Sequence, residues 1–526
     1  MSSIFKFDSK KLDKLLLQYG IKKTWLHLLA THLNSKKDFQ YILKCKEFNN
    51  SKILSLDLLQ GLSIGEVSIL YEYSVAKSNS KSRKSNGQFF TPDDVADFMA
   101  SYSSEFGSGT WLDPCSGIGN LSWHLVAAQS DPEEFLLKNM ILSDKDELAL
   151  LVARCLLTIS FQNRHKRLFD EIKHNFVVFD FLSVADNGDY DLFSSSNTLD
   201  KIPKHDFVII NPPYLATKKD SRFETSKAGD LYAYFLENVI KTSKGFVSIT
   251  PQSFTNAQKF NSLRRILLQS FQDLRIFTFD NVPANIFKGI KFGSTNSNQA
   301  NSIRAAVIIA KPGGGKPQIT SLLRWKTSER RYLFKNIERF LSDVKLTEEF
   351  FPKVSKNYKK LYIEMSRLET LGSIASLKRT RYPLYIPSAP RYFISALKKP
   401  AKRSSQKVIY FPDEEKRDYA YMLINSSLLY WWWRVRDGGM TLSLATLLSL
   451  PLPNFKINHK IVAELEKSEK VSKVYKQNAG APQENVKHPR SLIYKLNQAV
   501  IPEHAKLLST LHENSEFTRL IGQESN

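Results

Sequence analysis

The stretch HDFVIINPPYLA, residues 205–216, decides how this chain is read. Phe207 to Ile210 are four consecutive apolar residues without alternation, the mark of a strand covered on both faces, as in a parallel sheet. Two prolines then end the strand, because neither can donate to a ladder. Asn211-Pro212-Pro213-Tyr214 therefore falls at the strand's carboxyl end. Asn and Tyr are ordinary loop residues, so chemistry is inferred here only from what surrounds them.

Similar runs recur on both sides. GTWLDP, MILSD, NFVVFDF, GFVSIT, LRIFTF and AAVIIA are strand candidates, with helical stretches such as LSWHLVAAQ and LYAYFLENVIK between them. Such alternation predicts an α/β fold with a doubly wound, mainly parallel, Rossmann-like sheet. Residues 1–86 show helical apolar spacing, as in LDKLLLQYGIKKTWLHLLATHL, and a basic, serine-rich linker follows. KPGGGKP at Lys311 marks a second boundary. The expected organisation is an N-terminal helical region (1–86), an α/β domain (87–312) and a mixed α/β C-terminal domain (313–526).

At 526 residues the chain exceeds one ordinary core. No segment has the long uncharged run of a membrane helix, and the N-terminus does not read as a secretion signal, so no membrane partner and a cytoplasmic, prokaryotic location are expected. Three separated cysteines, Cys45, Cys115 and Cys155, give neither a disulfide framework nor a zinc site. Lys and Arg number 75 against 52 acids, a net charge of +23, which predicts attraction to a polyanion such as nucleic acid. From Leu371 to Tyr410 there are nine Lys or Arg and no acid, with Tyr382, Tyr385, Tyr392 and Phe393 interleaved. That mixture suits phosphates and bases together.

Ligands of open α/β sheets bind outside the strands' carboxyl ends. After TWL comes Asp113-Pro114-Cys115-Ser116-Gly117-Ile118-Gly119-Asn120, a glycine turn leading to a helix. It is neither GxGxxG nor a P-loop. Asp144 ends the next strand, where a carboxylate can accept both hydroxyls of a ribose. Asp180-Phe181 ends the third, offering an acceptor beside a ring. Together these residues describe a nucleoside pocket. At the fourth strand the Asn211 side-chain oxygen and the Pro212 carbonyl can accept both hydrogens of an exocyclic amine. Two prolines preset the backbone, and Tyr214 can stack on a base. By composition such a tetrapeptide occurs in roughly one chain of this length in several hundred.

On these residues the sequence resembles the amino-group DNA methyltransferases that use S-adenosylmethionine, in particular the TaqI-like adenine-N6 enzymes of gamma motif order. Gly87-Gln88-Phe89-Phe90-Thr91-Pro92 resembles the family's first motif, over the methionine part of the cofactor, and LYEYSVA before it resembles the preceding helix. DPCSGIGN is similar to the cofactor loop DPACGSG, with Cys115-Ser116 replacing Ala-Cys and both glycines kept. The resemblance implies cofactor contacts from Gln88, Phe89, Phe90, Thr91, Pro92, Asp113, Pro114, Gly117, Gly119, Asp144, Asp180 and Phe181. It implies catalysis by Asn211, Pro212, Pro213 and Tyr214. NIFKGI makes Phe287 the candidate for a second aromatic on the flipped base, with Phe279 as a substitute. INSSLLYWWWRV and LLSLPLP resemble part of a C-terminal target-recognition domain.

The implied reaction methylates adenine N6 in duplex DNA after base flipping, at an unstacking cost of about a few kcal/mol. It yields S-adenosylhomocysteine and needs no metal. A restriction-modification role follows, with a separately encoded cognate endonuclease. Two rivals are a methyltransferase acting on RNA or protein glutamine, and a DNA-recognition subunit without catalysis. Trp431–Trp433 read as core with Arg434 or Arg436 exposed. Cys115 reads as a packing residue, and His124 and His165 have no partners at catalytic or metal spacing.

Overall fold

A computed structural model describes residues 9–78, 91–182, 202–287, 291–292, 295–296, 303–390, 392–437, 441–478 and 481–511. The chain divides into two compact units. The first comprises Met1–Phe254, Lys259–Ile276 and Asn285–Pro317, and the second Thr255–Gln258, Phe277–Ala284 and Gln318–Asn526.

Each of the seven apolar runs forms a strand: β1 (Trp111–Asp113), β2 (Met140–Asp144), β3 (Phe176–Val178), β4 (Phe207–Ile210), β5 (Gly245–Pro251), β6 (Asp273–Phe279) and, after a short hairpin of β7 (Lys291–Phe292) and β8 (Thr295–Asn296), β9 (Ala305–Lys311). The seven stand in the order 3-2-1-4-5-9-6. Strands β1 to β5 pair in parallel, and β9 runs antiparallel to β5. All four residues of β4 are buried, as its unbroken apolar run requires. This is an α/β, Rossmann-like sheet, as the alternation predicts.

Helices α1 (Ser9–Asn34), α2 (Ile64–Ser78), α3 (Asp93–Ser101), α4 (Asn120–Ala127), α5 (Pro132–Lys138), α6 (Glu147–Phe161), α7 (Leu168–Glu171), α8 (Leu231–Thr242) and α9 (Asn261–Ser270) complete this unit. Gly20, at φ 70°, interrupts α1 with a conformation that glycine adopts without steric cost. Leu12, Trp25, Leu28 and Leu33 of α1, Val67, Leu70 and Tyr71 of α2, and Val152, Cys155 and Leu156 of α6 form one apolar cluster. The N-terminal helices therefore share a core with the sheet's own helix layer. No helix among the described residues is long and apolar enough to cross a membrane.

The second unit is mixed. It holds antiparallel pairs of β10 (Gln318–Thr320) with β11 (Leu341–Ser342), β12 (Tyr382–Pro387) with β13 (Gln406–Phe411), and β14 (Lys473–Asn478) with β15 (Ala481–Val486). Its helices are α10 (Lys359–Met365), α11 (Glu414–Asn425), α12 (Ser427–Arg436), α13 (Leu444–Leu448), α14 (His459–Val471), α15 (Arg490–Val500) and α16 (Ala505–Ser509). Trp431, Trp432 and Trp433 on α12 are core residues. The expectation of an exposed arginine after them needs correction. Arg434 is buried because Asp280 neutralises it at 2.8 Å, and the same carboxylate takes Arg324 at 2.8 Å. Arg436 is half-buried over the Phe350 ring at 4.0 Å. In the basic run, Lys378, Arg379, Arg381, Lys399 and Lys402 are exposed, whereas Lys398 is held by Asp418 and Glu466.

Candidate functional site

From β1 the chain builds β2 and β3 on one side, then returns to place β4 on the other. The carboxyl ends of β1 and β4 flank this reversal, where open α/β sheets form their ligand crevice. Asp113 ends the first and Asn211 follows the second. A cavity of ≈ 290 Å³ lies there.

The turn after β1 is shaped by two left-handed glycines, Gly117 at φ 53° and Gly119 at φ 82°. A Cβ on Gly119 would meet Ala153 and Leu142 at 3.2 Å, so this glycine lets the turn pack on the helix and sheet behind it. A Cβ on Gly117 would meet nothing within 4 Å, and Gly117 lines the cavity. Its N–H donates to Asp144 Oδ2 at 2.8 Å, while the Asp146 N–H donates to Asp144 Oδ1 at 2.9 Å. Asp144 is thus oriented by main chain on both oxygens, each of which keeps lone-pair capacity for a further donor. Burial raises its pKa. Asp113 is 1% exposed, and its Oδ2 accepts from Ser122 Oγ at 3.0 Å. Burial above all pushes its carboxyl up to about 7, and the Asp144 charge adds to the rise.

At the far end Asp180, Phe181, Phe179 and Leu182 line the cavity. Asp180 Oδ1 accepts from the Leu182 N–H at 3.0 Å, and Phe181 stacks on Phe235 of α8 at 5.6 Å. Asn211, Pro212 and Pro213 line the same cavity. Asn211 Nδ2 donates to Thr91 Oγ1 at 2.9 Å, which fixes the amide's orientation and makes Oδ1 its acceptor face. The Thr91 carbonyl in turn accepts from Asn120 Nδ2 at 2.9 Å. Cys115 donates from Sγ to the Asn211 carbonyl at 3.3 Å, a packing and tethering role. One buried threonine therefore ties the hook after β4 to the helix that follows the glycine turn.

Tyr214 donates its hydroxyl to the Ile249 carbonyl at 2.9 Å. Its ring meets Phe287 edge-on, with centroids 6.0 Å apart, and also Tyr232 at 6.3 Å. The structure thus brings Phe287 to Tyr214. Phe279 is instead packed in the second unit against Trp325 and Phe334.

Of the residues named from sequence, Thr91, Asp113, Pro114, Gly117, Asp144, Asp180, Phe181, Asn211, Pro212 and Pro213 line this one cavity. Pro92 is buried at the start of α3, and Gly119, Tyr214 and Phe287 are not part of the lining. Gln88, Phe89 and Phe90 lie outside the described residues. Sequence reasoning assigned no site role to Ser68, Glu72, Asn120, Leu231 and Phe235, which also line it, although Glu72 falls within LYEYSVA and Asn120 within DPCSGIGN. Asn120 adjoins the glycine turn and could have been found there; Ser68 and Glu72 share a helix face that pairing alone reveals. Asp146 has a role that sequence did not suggest: it caps α6 and accepts from the Tyr71 hydroxyl at 2.7 Å. His124 sits between Asp97 and Asp93, at 2.5 and 3.3 Å, partners that sequence spacing hid.

This sheet, with a glycine turn, the acids Asp113 and Asp144 and a diproline turn lining one cavity, defines a Rossmann-like α/β protein. Residues 138–287 match the family model Eco57I restriction-modification methylase, and residues 63–147 match N-6 DNA methylase. The first match spans Asp144 through Phe287, and the second covers Thr91 and the glycine turn. Among curated relatives, the type II methyltransferase M.BsuBI of Bacillus subtilis is 29% identical over 215 residues, which is 38% of this chain and 40% of that protein. The type II methyltransferase M.PstI of Providencia stuartii is 37% identical over 87 residues, 15% of this chain and 17% of that protein. The matched regions thus span less than half of either relative. A cryoEM structure of a DrdV–DNA complex overlaps 72% of this chain and 44% of its own, with a TM-score of 0.45 and 15% identity.

Proposed function

We propose that the chain is an S-adenosylmethionine-dependent DNA methyltransferase of the TaqI-like gamma class, acting on adenine N6 in duplex DNA after base flipping. The observation that supports this most is the shared cavity, which the glycine turn, Asp113, Asp144, Asp180 and Asn211 all line. The residues fit the cofactor. Gly117 leaves its backbone open for close approach, Asp144 is oriented for ribose hydroxyls, and Asp180 with Phe181 suits the adenine end. An acid-lined pocket also suits a ligand carrying positive charge. When bound, S-adenosylmethionine supplies an electrophilic methyl group on a sulfonium.

The chain's own residues then align and polarise the nucleophile. The Asn211 oxygen and the Pro212 carbonyl accept the two amine hydrogens, which turns the nitrogen lone pair out of the ring and toward the methyl. The same acceptors stabilise positive charge developing on nitrogen. Tyr214 stacks on the base, and Phe287, whose ring centroid lies 6.0 Å from that of Tyr214, is the second aromatic beside it. No metal is needed. Residues 1–86, 87–312 and 313–526 act as the helical region, the catalytic domain and the target-recognition domain. Exposed cations such as Lys378, Arg379 and Arg381 contact phosphates, and major-groove contacts supply sequence choice. The enzyme serves a restriction-modification system, with a separately encoded endonuclease as its functional counterpart.

Incubated with tritiated S-adenosylmethionine and duplex DNA, the protein labels adenine only. Label in cytosine, or transfer to RNA or protein in place of DNA, refutes the assignment.

A further inference from the structure

Helix α2, which holds LYEYSVA and precedes the residues assigned to the site, forms part of the cavity. Val67, Leu70 and Tyr71 bury one side of it in the N-terminal core. The Tyr71 hydroxyl donates to Asp146 Oδ2 at 2.7 Å, two residues beyond the ribose acid, which fixes the helix beside the site. Residues four apart share a helix face. Ser68 and Glu72 are so related, and both line the cavity.

A glutamate on a solvated helix face keeps an ordinary pKa, but burial raises that of Glu72 to about 7. Glu72 pairs with no cation among the described residues. The cavity's other acids are Asp113, Asp144 and Asp180, against Lys145. Asp113 is 1% exposed, and its Oδ1 has no hydrogen-bond partner among the described residues. Desolvated carboxylates in this arrangement are stabilised by an incoming cation with N–H donors. The proposed cofactor carries one such group, the α-ammonium of its amino-acid part. On the proposed assignment Asp144, which accepts from the Gly117 N–H, serves the ribose and Asp180, which accepts from the Leu182 N–H, serves the adenine end, while Asp113 already accepts from Ser122. Glu72 reaches the cavity on a longer side chain from a separate element.

We infer that Glu72 is the acceptor for the cofactor's α-ammonium group, so that α2 selects the amino-acid part of the ligand while the sheet edge holds its nucleoside. This rests on the cofactor assignment proposed above. The test compares binding of S-adenosylhomocysteine with binding of 5′-methylthioadenosine, which lacks the amino acid, to wild type and Glu72→Gln by titration calorimetry. The variant should bind S-adenosylhomocysteine about ten-fold or more weakly, as loss of a charge-assisted contact implies, and methylthioadenosine within about two-fold of wild type. A desamino analogue of S-adenosylhomocysteine should bind wild type weakly and be indifferent to the substitution. Equal loss for both nucleosides, or no loss for either, overturns the inference. Wild type that binds none of the three refutes the cofactor assignment itself. Glu72→Gln should melt no lower than wild type, since it removes a carboxylate whose charge burial penalises.

Discussion

Thr91→Val is the substitution that most sharply separates positioning from contact. Valine keeps the shape of threonine and removes the oxygen that accepts from Asn211 Nδ2 at 2.9 Å. Thr91 is 4% exposed, so water has little room to replace that oxygen. A neutral hydrogen bond contributes about 0.5–1.5 kcal/mol, and an unsatisfied buried donor costs about 1–3 kcal/mol. If 1–3 kcal/mol of amide orientation is lost from the transition state, the rate of transfer falls by roughly 5- to 150-fold. The loss should appear in single-turnover transfer to duplex DNA, with cofactor Kd changed much less. The Thr91 carbonyl that accepts from Asn120 is retained, so the turn itself should survive. Thr91→Ser keeps the acceptor and should restore most of the rate. Thr91→Val with a rate within two-fold of wild type, or Thr91→Ser as impaired as Thr91→Val, refutes the positioning role.

Other substitutions probe the frame around the site. Asp280→Ala leaves Arg324 and Arg434 buried without their shared carboxylate, and should destabilise the second unit by about 3–5 kcal/mol in denaturant titration. Gly119→Ala combines a φ of 82° with two 3.2 Å contacts and should lower stability by about 1–3 kcal/mol; Gly117→Ala meets no atoms and carries only the strain of its φ of 53°, so it should lower stability by less, about 1 kcal/mol. Burial of His124 works to lower its pKa, but hydrogen bonds and charge from Asp93 and Asp97 outweigh it and raise the pKa to about 9. The stability this contributes is complete below the unfolded value near 6.5 and is lost as pH rises toward 9. The loss should be on the order of 2 kcal/mol, because both carboxylates are partly exposed, and absent in His124→Gln.

Local signals carried the sheet. Unbroken apolar runs marked strands buried on both faces, and residues at their carboxyl ends could be assigned to one edge before any contact was known. The glycine turn, Asp144 and the diproline hook were visible because their chemistry is written in adjacent residues. What stayed hidden is long-range. Thr91 and Asn211 are 120 positions apart, and nothing in either neighbourhood signals their bond. Ser68 and Glu72 lie on a helix whose apolar spacing describes only its buried side. Arg434 looked like a surface residue because its partner, Asp280, lies in a distant segment that joins the second unit.

The sharpest measurement is transfer from tritiated S-adenosylmethionine to duplex DNA by Asn211→Ala, with cofactor binding followed in parallel. Binding near that of wild type with no label in adenine is the expected result, since the substitution leaves the glycine turn, Asp144 and Asp180 in place and removes only the amide proposed to accept from the amine. Near-normal turnover would contradict the role of the Asn211 amide and, with it, the reading of the whole crevice.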